Sequence, residues 1–191
     1  MAPLVFNSRG LLNPGDFHMT FEELRASILV AGPGSFIEPD WDEHWRLFLV
    51  NQAEVLVKQL WEIGVTEIFL DGSFVEQKTR PNDIDGYFVY EDLLAYANGD
   101  MEHQLNLLDP HKIWTWAPNS RKVYKGYAKK QLPMWHKYRV ELYPHVPAIN
   151  NASGLIDEHG NELPFPAAFR RCRSNGDQKG IIKIIHHNVD D

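Results

Sequence analysis

Ile68-Phe-Leu-Asp-Gly-Ser-Phe-Val-Glu-Gln-Lys-Thr-Arg-Pro-Asn-Asp-Ile-Asp-Gly-Tyr-Phe-Val-Tyr90 has the pattern of two strands joined by a polar loop. Its first residues, Ile68-Phe69-Leu70, form a short apolar run bounded by Gly72, the pattern of a buried strand. Gly72-Ser73 marks a sharp exit from that strand. Nine residues separate Ser73 from Asp83, and Pro81-Asn82 among them signals a turn. Asp83 to Tyr90 then has the composition of a second strand.

Side chains alternate faces along a strand, so Asp83 and Asp85 point the same way. Ile84 and Phe88 point the other way, toward a core. Two adjacent carboxylates repel each other unless a cation lies between them. Hard oxygen ligands of this kind suit Mg2+, which takes one or two carboxylates plus substrate phosphates. The Gly-Ser turn offers a phosphate backbone N–H groups and a hydroxyl. These parts read together as a metal–nucleotide site.

The same residues carry a family resemblance. Gly72-Ser73, the nine-residue gap and Asp83-Ile84-Asp85 resemble the signature of the DNA polymerase beta-like nucleotidyltransferase superfamily. There, a Gly-Ser at a strand end precedes an Asp-x-Asp on the next strand. The resemblance implies that Gly72 and Ser73 hold a nucleoside triphosphate. It also implies that Asp83 and Asp85 bind two divalent metals, and that an acid on a later strand completes the site. Asp71 and Gly86 stand where apolar residues are common in that family. The motif runs from Gly72 to Asp85, and the third acid extends the resemblance to about a third of the chain. Short chain length fits the minimal members of the superfamily.

The chain has 191 residues, enough to bury a sizeable core. With 43% apolar and 12% aromatic residues it is expected to be globular. A net charge of -7 argues against a general nucleic-acid coat, which needs a basic face. Cys172 is the single cysteine, so the sequence has neither an internal disulfide nor a cysteine zinc site. That usage fits a reducing, cytoplasmic setting. The first residues lack a signal peptide's apolar core, and no apolar run reaches the roughly 20 residues of a membrane span.

The expected fold is α/β, a mixed β-sheet with flanking helices in one domain over 1–191. An N-terminal arm and helix occupy 1–40, the core 41–146, and a C-terminal loop and final strand 147–191. Residues 1–19 read as an irregular arm. Thr20 and Glu23 form a capping box for a helix to Val30, ended by Gly32-Pro33-Gly34. Asp40 or Asp42 caps a longer helix to Ile63, stopped by Gly64. Trp45 and Trp61 read as packing residues. Glu91 to Leu108 is helical with a break at Asn98-Gly99. Ile113 to Trp116 is expected as a short strand, its tryptophans packing in the core or, alternatively, stacking a base.

Residues 119–137 are the most basic segment, with Arg121, Lys122, Lys125, Lys129, Lys130 and Lys137 among Tyr124, Tyr127 and Trp135. They are either a triphosphate or RNA contact or a solvated helix face. Tyr138 to Pro144 alternates as a strand, with Val140 and Leu142 on one side and Arg139, Glu141 and Tyr143 on the other. Glu141 is the candidate third acid, because its strand follows the Asp-x-Asp strand as in the family layout. The alternative is an exposed strand glutamate paired with Arg139 or a neighbour. Residues 147–168 read as a long loop or a hairpin turning at Asp157–Asn161. Arg170, Arg171 and Arg173 form a second basic cluster. Lys179 to Ile185 is a last strand buried on both faces. His186 and His187 point apart and are poor co-ligands.

The resemblance thus implies a nucleotidyltransferase using Mg2+ or Mn2+. It would pass a nucleoside monophosphate from a nucleoside triphosphate such as ATP to an RNA end, a protein hydroxyl or a small molecule. The alternative is a non-catalytic binding or regulatory module of the same fold, such as a toxin–antitoxin component.

Overall fold

The computed structural model describes residues 4–34, 40–126, 129–149 and 152–186. A five-stranded mixed sheet carries helices on one face and a smaller hairpin and helix on the other. In chain order its first part is β1 (Asp16–Met19), α1 (Phe21–Ala26), α2 (Ile28–Ala31), α3 (Glu43–Glu62) and β2 (Ile68–Asp71). Next come β3 (Ile84–Val89), α4 (Leu93–Asn98), α5 (Asp100–Leu108), α6 (Pro133–Tyr138) and β4 (Val140–His145). A separate hairpin, β5 (Ala152–Ile156) and β6 (Glu162–Pro164), leads through α7 (Phe165–Phe169) to β7 (Ile181–Ile184). The strand order is β1-β7-β2-β3-β4, with β1–β7 and β3–β4 parallel and the two central pairs antiparallel.

Alternation sorts the sheet into two faces. Ile68, Leu70, Ile84, Phe88, Val140, Leu142, Ile182 and Ile184 enter the main core with α3, α5 and α6. The long helix α3 supplies that core with Leu49, Val50, Ala53, Leu56, Val57 and Leu60, one stripe at helical spacing. Phe69, Tyr87 and Ile181 face the other way, against Tyr143, Phe165 and Phe169. A Cβ on Gly86 would lie 2.3 Å from the Phe69 carbonyl oxygen and 2.8 Å from Leu142 Cδ2. That close approach leaves room for no side chain at this position.

Several expectations are met. Thr20 and Glu23 form the capping box, and Asp42 caps α3 by accepting from Trp45 N–H at 2.9 Å. Gly99 separates α4 from α5. Asp157 accepts from the His159 and Asn161 N–H groups at the tip of the 152–164 hairpin. Trp45 stacks on Phe48 and Trp61 packs edge-on against Phe21.

Others are corrected. The 1–19 arm is not wholly irregular, because Asp16–Met19 pairs with β7. The first helix does not reach Val30 unbroken. Ser27 is extended at ψ 166° and its hydroxyl caps α2 instead. Ile113–Trp116 is not a strand. The Asn106 side chain satisfies both backbone groups of Trp114, accepting at 3.0 Å and donating at 2.7 Å. Arg139 is not part of β4. It ends α6 in the left-handed region at φ 57°, with its guanidinium over the Trp135 ring at 3.9 Å. His186 packs on Trp61, and His187 lies outside the described residues. So does Tyr127. No described helix is long and apolar enough to cross a membrane.

Candidate functional site

Register places three carboxylates side by side. Asp71 is opposite Asp85 across β2 and β3, and Asp85 is opposite Glu141 across β3 and β4. Residues paired in this way point to the same face, here the face away from the main core. Asp83 adds a fourth carboxylate just before β3. Gly72, Ser73, Asp83, Asp85 and Glu141 all line one cavity of about 830 Å3, with Asp71, Lys129, Gln131, Arg173 and Lys179 also in its wall.

Each acid is held differently. Asp83 accepts from Trp135 Nε1 at 2.6 Å. Glu141, only 1% exposed, accepts from the Leu132 N–H at 2.8 Å and from the Tyr143 hydroxyl. Arg121 stands 3.6 Å from the same glutamate and donates to Tyr143. The expected partner Arg139 is turned away onto aromatic rings, and Glu141 is buried rather than exposed. Both of its oxygens are occupied. Among the described residues no three His, Cys, Asp or Glu side chains form a group able to hold a metal ion as they stand.

The Gly72–Ser73 turn is latched from below. Lys179, 3% exposed, donates to the Gly72 carbonyl at 2.9 Å and to Glu76 at 2.7 Å, and lies 3.3 Å from Asp71. Gly72 has φ 76°, and a Cβ there would come within 2.6 Å of Asp85 Oδ2, so the turn requires glycine for both its angle and its neighbour. Arg46, fully buried on α3, donates to the carbonyls of Leu29, Phe74, Glu76 and Lys78. It therefore ties the loop after the turn to the core. The Ser73 hydroxyl makes no hydrogen bond among the described residues. The buried Gln131 Oε1 also has no partner.

Burial and the neighbouring charges of Asp83, Glu141 and Asp71 push the Asp85 carboxyl up to about 7. Asp83 is also raised, chiefly by burial, against the pull of the Trp135 N–H. Burial takes Asp71 up to about 7 although Lys179 opposes it. Burial works against the Lys179 ammonium, but Asp71 and Glu76 outweigh it and hold the lysine charged above its ordinary range.

These shifts fix a sign. Asp85 has an ordinary value of 3.8 and a folded value of about 7, so between those limits the folded protein binds more protons than the unfolded chain. Asp85 therefore contributes stability that is lost as pH rises through that window. Urea unfolding in EDTA at pH 5 and pH 8 is expected to show this loss, and Asp85→Asn should flatten it. An equal slope in wild type and variant would contradict the assignment.

Of the residues expected from sequence, all five at the signature and third-acid positions meet at one cavity. The basic segments divide. Lys129, Arg171 and Arg173 line the cavity, Arg121 reaches Glu141, and Arg170 pairs with Asp16 away from it. Asp71, Trp135 and Lys179 were not anticipated. Asp71 had a signal, since an acid ending an apolar strand on the Asp85 face must meet its charge. Lys179 had none, because its partners lie a hundred residues away.

Residues 4–185 match a family of unknown function (DUF6932), and the chain belongs to that family. No curated protein and no solved structure matches it.

Proposed function

We propose that this chain is a metal-dependent nucleotidyltransferase with a polymerase beta-like core, passing a nucleoside monophosphate from a nucleoside triphosphate to a hydroxyl acceptor. One observation carries the reading: the in-register acids Asp85 and Glu141, with Asp83 beside them, share a cavity with the Gly72–Ser73 turn. The donor set is carboxylate oxygen throughout, which fits Mg2+ or Mn2+ and not a soft metal. Repulsion among the acids is the strain a cation would relieve.

Asp83 and Asp85 are the residues that would hold it, a number Mg2+ commonly takes from protein when phosphates supply the rest. Bound there, such an ion would neutralise phosphate charge and make the attacking hydroxyl more acidic. The chain supplies position. Ser73 offers its unpaired hydroxyl to the phosphates, and Lys179 fixes the turn that carries it. Arg173 and Lys129 stand at the rim as cations for charge developing on the leaving group. Trp135 holds one oxygen of Asp83 and so orients the other. Glu141 is fixed by Leu132 and Tyr143, and would exchange the tyrosine hydroxyl for an ion. The acceptor class is an RNA end, a protein hydroxyl or a small molecule.

A second reading, a non-catalytic module of the same fold, draws on the occupied oxygens of Glu141. The two part on metal dependence. Calorimetric titration of a nucleoside triphosphate is expected to give binding with Mg2+ and at least tenfold weaker binding in EDTA, because bare phosphates meet the acid row. Equal affinity in both conditions would sink the catalytic reading.

A further inference from the structure

We infer that the cavity has a second, aromatic end that takes the base of the nucleotide by stacking, on Phe165 and Phe169 of α7, an inference that rests on the proposed nucleotidyl transfer. The sheet itself sets the two ends. On the cavity face, the acid row Asp71–Asp85–Glu141 is flanked, two residues away on each strand, by an aromatic row, Phe69–Tyr87–Tyr143. Two residues of strand span about 6–7 Å. Phe69 and Tyr87 stack at 4.7 Å. Phe169 packs 5.3 Å from Tyr87, and Phe165 packs 5.8 Å from Tyr143.

The two α7 rings are not consumed by that packing. Phe165 and Phe169 remain half-buried and line the same cavity as the acids, together with Leu155 and Ala168. Tyr143 joins the ends, with its ring on Phe165 and its hydroxyl on Glu141. A ligand whose charged part lies on the Asp83–Asp85 end therefore meets an apolar aromatic surface at its other end. A nucleoside triphosphate has that polarity. Ser153, the hydroxyl among these apolar side chains, is already engaged, donating to Leu163 O at 2.6 Å and accepting from Leu155 N–H at 3.1 Å. Stacking without edge contacts tolerates any base, so purines should bind somewhat tighter than pyrimidines and neither should be excluded.

The test compares Mg2+–ATP with Mg2+–tripolyphosphate, which keeps the phosphates and lacks the ring, on wild type and Phe169→Leu. Leucine keeps apolar bulk, and a thermal melt of each protein verifies folding. Should Phe169→Leu not fold, Phe165→Leu takes its place. Expected are tighter binding of ATP than tripolyphosphate by wild type, about a tenfold loss of ATP affinity in the variant, and no change for tripolyphosphate. Equal wild-type affinity for both ligands overturns the aromatic end while leaving the phosphate site standing. So does a variant that weakens both alike or neither. A wild type that binds neither ligand overturns the functional reading, and the base site falls with it.

Discussion

The Asp85→Asn protein is expected to fold, to melt higher than wild type without metal, and to lose nucleotidyl transfer. Asp85 lies between Asp71 and Glu141 in register, with Asp83 just before its strand, so its charge meets three others. An amide of equal size removes that repulsion and keeps the packing. The gain should be on the order of 1 kcal/mol, or ~2–4 °C in melting temperature for a chain of this size. Activity should fall by at least ~10²–10³-fold, the scale for loss of one group that stabilises transition-state charge. A variant that melts lower than wild type in EDTA would make Asp85 a structural residue. A variant with wild-type transfer would remove it from the chemistry.

Lys179→Met should produce the largest loss of stability of any single change at the site. Lys179 and Asp71 are both almost fully buried, and the ammonium also reaches Glu76 and the Gly72 carbonyl. Removing one partner of a buried pair leaves an uncompensated charge and costs about 3–5 kcal/mol. Asp71 is already raised to about 7, so it can take up a proton once the lysine is gone. The penalty should therefore shrink toward pH 5. Adding Asp71→Asn to Lys179→Met should restore part of the loss, with a coupling of about 0.5–3 kcal/mol. Strictly additive losses in urea unfolding would show that the latch is not an energetic unit.

The legible parts of this molecule are those written in local spacing. Gly72-Ser73, Asp83 and Asp85 could be placed on strand ends because a period of two fixes their faces, and Glu141 followed from the next alternating strand. Asp42 and Thr20 were readable as caps because capping is a contact over three residues. What escaped depends on distant pairing. Asp16–Met19 alternates too weakly to announce a strand and becomes one through β7. Lys179 stands beside an apolar run like any flanking charge, and only the sheet brings it under Gly72. Trp135 read as one aromatic in a basic segment, yet its indole N–H holds Asp83. Arg139 seemed to continue the alternation of β4, but the end of α6 requires a left-handed residue there. Ile113–Trp116 had strand composition, and the Asn106 side chain supplied its backbone partners first.

Transfer of the α-phosphoryl group is tested by parallel incubations with α-labelled and γ-labelled nucleoside triphosphate. Each is run with Mg2+ and a cell lysate as the source of acceptor, with wild type and Asp85→Asn side by side. In the wild type, α-label is expected to become attached to an acceptor and γ-label to leave as pyrophosphate, and the variant should do neither. Attachment of γ-label, release of inorganic phosphate alone, or equal transfer by Asp85→Asn would contradict it.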